Sequence, residues 1–182
     1  MAGFAFQSCN NSHKDAKDAA DSVNKVKDTT THAAETGGIA VDKDDAKFAT
    51  DAANGGMAEV ELGKLALKKT HIASLRKFAQ MMVDDHGKAN DELKAIAQKK
   101  NITLPDAVDN DHRQKMADLE KKQGKDFDKA YVDVMIDGHK KTLDLMEKEA
   151  KDGKDTDLKT FAEKTAPTVK MHLEAIKRIH DL

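Results

Sequence analysis

The spacing of apolar residues changes character near residue 44. From Asn10 to Asp44 the chain runs through Asp, Lys, Ser, Thr, Asn and Ala, with only Val23, Val26, Ile39 and Val41 scattered among them. A stretch with so little apolar surface offsets little of the entropy lost on ordering, and it reads as a polar tether. Its Ala-Lys-Asp runs favour transient helix, which the Gly37-Gly38 pair would end.

Beyond residue 44 apolar positions recur with helical spacing, and four long helices are expected. The first spans about 45–69, with Phe48, Ala52, Gly55, Glu59, Leu62 and Ala66 on one face. The second spans about 71–99, with Ile72, Leu75, Ala79, Met82, His86, Ala89, Leu93 and Ile96 along its stripe. Leu104-Pro105 breaks the pattern, and a short helix over about 109–122 follows with Met116 and Leu119 inward, stopped by Gly124. The third long helix starts near Asp126, read as its N-cap, and turns Tyr131, Met135, His139, Leu143 and Met146 inward up to Gly153. The fourth spans about 155–180 with Leu158, Phe161, Thr165, His172, Ile176 and Ile179 inward, and a kink is expected at Pro167. The fold class is therefore all-α: a four-helix bundle over 45–182, a short extra helix in the long crossover connection, and a flexible N-terminal tail.

Composition narrows the function. In 182 residues, 31 Lys and Arg stand against 33 Asp and Glu, so no basic excess exists to hold a phosphate backbone, and nucleic acid is not an expected partner. Only 2 Pro, 4% aromatic residues and no Trp argue against a chain of many short strands. The single cysteine, Cys9, excludes a disulfide framework and Cys-rich zinc or iron–sulfur sites. Ser74 is the one serine past residue 44, so nucleophilic hydrolysis is disfavoured. The methionines lack clustered spacing and read as core filling rather than a copper thioether site. The opening MAGFAFQSC resembles the end of a lipoprotein signal peptide. Residues 1–9 then read as its remnant, with the remainder upstream of Met1 and Cys9 as the lipidated residue, the only route to a membrane that the sequence offers. The competing reading is an ordinary N-terminus with one exposed thiol.

Candidate chemistry comes from polar residues at the centres of apolar stripes. At about 100° per residue, His86 falls within roughly 40° of Leu75, Ala79, Met82 and Leu93, His139 within roughly 40° of Met135, Leu143 and Met146, and His172 within roughly 40° of Phe161, Ile176 and Ile179. Glu59 faces inward among Leu62 and Ala66, whereas Glu61 points outward among lysines. If the helices join at Thr70 and near Asp152, the four residues fall within about two turns of one level at about 1.5 Å per residue. Three imidazoles and a carboxylate at one depth suit a divalent transition metal, Zn, Fe, Mn or Cu, in a mononuclear site of Glu59, His86, His139 and His172. Asp85, Thr142 and Thr168 are candidates to orient the rings. The alternative is a structural or interaction module in which the same residues form only a hydrogen-bond network. His13 and His32 read as solvated tail residues, and His71, His112 and His180 as element-end residues. Gly55-Gly56, inside a helix, implies either close helix approach or room beside Glu59.

Together, Ala58–Gly63, the run Met81–His86, Leu104-Pro105, the Gly124, Phe127-Asp128 and Tyr131 cluster, His139, and Ala166-Pro167 followed by His172 resemble a bacterial envelope family. Its members are commonly labelled predicted outer membrane or exported proteins. The resemblance spans about Asp44 to the C-terminus. It implies a ferritin-like bundle, export to the periplasm or outer membrane, and the three histidines as a shared feature, but no activity. Di-iron ferritin-like proteins carry Glu-x-x-His on two helices. Here Val83, Ile136 and Val169 stand three residues before the histidines, which disfavours oxidase or iron-storage chemistry. A role in metal binding, sensing or stress protection is expected in preference to turnover, and the sequence names no protein partner.

Overall fold

The computed structural model describes residues 15–27 and 38–180; Cys9, His13 and His32, with the lipid-anchor expectation, lie outside them. The elements are α1 (Ala16–Lys27), α2 (Lys43–Lys69), α3 (Ala73–Met81), a π-helical turn (Met82–His86), α4 (Gly87–Lys99), α5 (Asn110–Glu120), α6 (Gly124–Asp152) and α7 (Thr156–His180). No strand occurs among the described residues. The all-α expectation holds.

Four rods form the bundle. α6 and α7 pack along each other, α2 packs on both α6 and the continuous rod made by α3, the π turn and α4, and that rod packs on α7. Side-chain oxygens secure the ends. Asp42 caps α2 and Asp109 caps α5, each accepting from a backbone N–H. Buried Asp45 accepts from the backbone N–H groups of Lys154 and Asp155, tying the α6–α7 turn to the start of α2.

The polar segment before residue 44 does more than the tether reading expected. α1 docks on α2 and buries Ala20 and Asn24. Asn24 donates to the Thr103 carbonyl at 2.9 Å and accepts from the Thr103 N–H at 2.8 Å, and Lys17 reaches Asp51 at 2.9 Å. Directed polar pairs, invisible to a hydrophobic pattern, hold this helix in place.

Two further details differ from expectation. α6 begins at Gly124, which adopts φ +51 after an N-cap at Gln123, so Asp126 lies in the first turn and is not the cap. Ile72 is exposed, because α3 starts one residue after it. The π turn also shifts the inward face of α4. Ala97 is buried while Ala89 and Ile96 are only half-buried, as one extra residue per turn rotates everything downstream.

Gly63 lets α2 and α3 close up, since a Cβ there would stand 2.8 Å from the Ala79 carbonyl oxygen and 3.1 Å from Met82 and Val83. Gly63→Ala is therefore expected to destabilise the domain by about 1–3 kcal/mol despite the better helix propensity of Ala. A urea midpoint equal to or above that of the parent protein would contradict this.

The core falls into two apolar clusters. One contains Leu62, Leu75, Phe78, Met82, Tyr131 and Ile176, the other Phe48, Leu93, Met146, Leu158 and Phe161. On each rod the dividing line falls at the expected polar residue: Glu59 precedes Leu62, His86 lies between Met82 and Leu93, His139 between Met135 and Met146, and His172 between Phe161 and Ile176. A polar layer thus crosses the bundle at mid-height.

Candidate metal centre

Each rod delivers one residue to that layer, and all four are buried, with His139 and His172 at 0% exposure. The three ring centroids form a near-equilateral triangle with sides of 5.6, 5.3 and 5.6 Å. Phe78 covers one side, its ring 5.8 Å from that of His139 and 6.4 Å from that of His172. One ligand atom from each histidine lies within 4.8 Å of those of the other two. Closing a tetrahedral site at the usual metal–nitrogen distance of about 2.0–2.1 Å takes side-chain adjustments on the order of 1 Å.

Outer partners fix which nitrogen of each ring bears the proton. His139 Nδ1 lies 2.8 Å from the Met135 carbonyl oxygen, which only accepts, so Nδ1 donates. His172 Nε2 donates in the same way to Asp85 Oδ2 at 3.0 Å. His86 Nδ1 approaches Glu59 Oε2 at 3.0 Å, a close ion-pair contact off the ideal hydrogen-bond angle. In the neutral rings the lone pairs therefore sit on His86 Nε2, His139 Nε2 and His172 Nδ1. Those three atoms are the ring nitrogens that are buried without a hydrogen-bond partner.

Glu59 occupies a different place from the three imidazoles. Oε1 accepts from the Thr142 hydroxyl at 3.3 Å and lies 3.5 Å from His139 Nδ1, while Oε2 faces His86 Nδ1. The carboxylate thus stands on the proton-bearing side of two rings, and the group whose ligand atoms converge contains the histidines alone. Of the expected orienting residues, Asp85 serves His172 rather than its neighbour His86, Thr142 serves Glu59 rather than His139, and Thr168 lines an adjoining cleft. The sequence reading missed the Met135 carbonyl, which sits one turn before His139. It also missed the π turn that carries Asp85 and His86, a type of interruption frequent at functional sites.

The electrostatics agree with this division. Burial pushes Glu59 towards neutrality, but His86 and His139 outweigh it and hold the carboxyl down at about 2. Burial also opposes charge on His86, and Glu59 overcomes it, raising that ring above its ordinary value. Burial lowers His139, and burial with repulsion from His86 brings His172 down to about 4. Among the outlying histidines, His71 is exposed, and His112 donates to Asp109 at 2.6 Å beside the α5 cap.

Residues 28–179 match a family model described as a domain of unknown function, DUF4142. The chain belongs to the DUF4142 family. No curated protein matches it in sequence. Among solved structures, the DUF4142 chain resembles a DUF305 fragment from Deinococcus radiodurans, with a TM-score of 0.69, 9% identity and coverage of 78% of this chain and 97% of that one. It also resembles CopM in its Cu(I)-bound form, with a TM-score of 0.65, 16% identity and coverage of 75% and 95%. CopM in the Ag-bound form superposes with a TM-score of 0.63 at 17% identity, covering 75% and 95%. At these identities the likeness establishes a shared helical fold for the DUF4142 domain. Among the described residues no helix is long and apolar enough to cross a membrane.

Proposed function

We propose that the bundle binds a single divalent transition-metal ion, Zn, Fe, Mn or Cu, through His86 Nε2, His139 Nε2 and His172 Nδ1. Glu59 completes the site as the buried carboxylate that balances charge and that swings in as a fourth ligand when the ion demands one. The observation that carries this reading is the set of three buried, convergent ring nitrogens without a hydrogen-bond partner, on rings whose other nitrogen donates to an acceptor in His139 and His172 and faces Glu59 at 3.0 Å in His86. Leaving a buried polar atom unsatisfied costs about 1–3 kcal/mol, and three in one place call for a common partner. CopM, of similar fold, is a precedent for metal on such a scaffold. A hydrogen-bond network alone, the competing reading, leaves the three nitrogens unexplained.

The role that fits is binding, sensing or stress protection in the cell envelope, with anchoring through Cys9; the signal-like start and the family resemblance support that placement. Turnover ranks behind it, because His139 and His172 are fully buried and Phe78 packs over one side of the triangle. Elemental analysis of the untagged protein, purified after metal-replete growth, is expected to give one metal per chain. Asp85→Asn, which removes the carboxylate orienting His172, is expected to weaken binding by about 10–100-fold. The absence of stoichiometric metal in the parent protein would overturn the proposal.

A further inference from the structure

The helical glycines around Glu59 are of two kinds. A Cβ on Gly56 would overlap the Asn90 amide and one on Gly63 would press on the Ala79 carbonyl, so both permit close helix packing. Gly55 and Gly138 have no such reason. A Cβ on Gly55 would meet Thr142 Oγ1 no nearer than 3.9 Å, and one on Gly138 would meet Glu59 Oε1 no nearer than 3.8 Å. Neither has positive φ. Packing and backbone both admit Ala at these two positions, where its Cβ would make ordinary contacts, and Ala is the stronger helix former, so what the glycines leave is the space of a methyl group in a cleft that both of them line.

That space is a cleft of about 390 Å³ between α2, α5 and α6, and Glu59 is part of its lining. Its other charges are largely spoken for. Lys17 is held by Asp21 at 2.8 Å and Asp51 at 2.9 Å, Lys141 by Asp137 at 3.2 Å, and Asp109 by Asn54 at 2.7 Å and His112 at 2.6 Å. Lys115 also lines the cleft. Glu59 is 4% exposed; its Oε1 accepts from Thr142, and its Oε2, without a hydrogen-bond partner, faces His86 Nδ1 at 3.0 Å, so the carboxylate lies between the cleft and the histidines. A second cleft, of about 310 Å³, opens between the π turn, α4 and α7 and is lined by Asp85, His86, His172 and Thr168. There the Asp85 carboxylate already accepts from His172, Lys164 is paired with Glu92 at 3.8 Å, and Lys88 adds cationic charge.

We propose that a divalent metal ion enters through the cleft opened by Gly55 and Gly138, lodges first at Glu59, and passes from there to His86, His139 and His172. This rests on the metal centre proposed above and adds a transit site and a loading route to it. A gate on the route changes entry and exit together and leaves the equilibrium untouched.

The experiment is stopped-flow uptake of Zn²⁺ by the full chain, and its release to a chelator in excess, for the parent protein and for Gly55→Leu, Gly138→Leu and Thr168→Leu. Both glycine variants are expected to slow uptake and release by about tenfold, with the dissociation constant within about twofold of the parent value. Thr168→Leu, in the second cleft, is expected to leave both rates unchanged. If leucine at position 138 impairs folding, Gly138→Ala gives a smaller slowing in the same direction. Unchanged rates in folded glycine variants with normal affinity, or slowing by Thr168→Leu alone, overturn the route and leave the metal centre standing. A parent protein that takes up no Zn²⁺ overturns both.

Discussion

His139→Ala is expected to lower the affinity for a divalent ion by at least about a hundredfold and to abolish stabilisation of the fold by that ion. Zinc held by four ligands gains on the order of 10–16 kcal/mol, so one ligand contributes about 3 kcal/mol, or about two orders of magnitude in the binding constant. His139 is the ring with the least freedom to be replaced. It is fully buried, its Nδ1 is engaged by the Met135 carbonyl, and its neighbours across the layer are His86, His172 and Phe78. For the parent protein, an ion at a hundred times its dissociation constant adds about 2.7 kcal/mol of stability; for the variant at the same concentration the gain nearly vanishes. Urea denaturation with and without Zn²⁺ measures both. His71→Ala, at an exposed position remote from the layer, serves as the control and is expected to behave as the parent does. Equal metal-induced stabilisation of the parent protein and His139→Ala would place any bound ion elsewhere in the chain.

The fold was legible because the four long helices carry a strong 3.6-residue period, and such segments bury the same face whatever their partners. That period also placed His86, His139, His172 and Glu59 inward, and helix length placed them at one depth. What the period does not encode is the direction of a side chain around its own bonds. Helical-wheel arithmetic gave Glu59 and the three histidines equal standing, whereas the structure turns the carboxylate towards the Nδ1 side of His86 and His139. The π turn was hidden for a related reason. One inserted residue shifts the stripe by a fraction of a turn, which the alternation of Ala89, Leu93, Ile96 and Ala97 is too permissive to register. α1 escaped because Asn24, Thr50 and Lys17 dock it through polar pairs with residues remote in sequence. Gly55-Gly56 drew two competing explanations; Gly56 makes the close approach, against Asn90, and Gly55 lines the cleft that Glu59 also lines.

Acid is expected to expel the ion well before it unfolds the protein. A metal-binding nitrogen must be free of its proton, and Glu59, outweighing burial, raises His86 above the ordinary 6.5, so His86 is the ring whose proton competes most strongly with the ion. Binding to the protonated ring releases that proton, and the affinity is expected to fall with pH, approaching tenfold per pH unit once His86 is protonated. The metal-free fold responds with mixed signs. His172, lowered to about 4, and His139, also lowered, favour their neutral forms in the folded state. Their contribution to stability is complete above about 6.5 and is lost as pH falls from there towards 4. His86 acts oppositely, its contribution being complete below 6.5 and fading as pH rises through its elevated value. Glu59, held at about 2, contributes fully above 4.5 and keeps its charge across the whole window. Below pH 6.5 the contribution of His86 no longer changes while those of the other two rings are lost, and the metal-free domain is expected to weaken between pH 6.5 and 4.5, because three imidazolium charges cannot share a dry layer with centroids 5.3–5.6 Å apart. Competition with a chelator of known affinity at pH 7.5, 6.5 and 5.5 reads the first effect, and urea midpoints of the metal-free protein at the same values read the second. An affinity that stays constant from pH 7.5 to 5.5, after correction for the chelator's own protonation, would mean that the imidazoles are not the ligands.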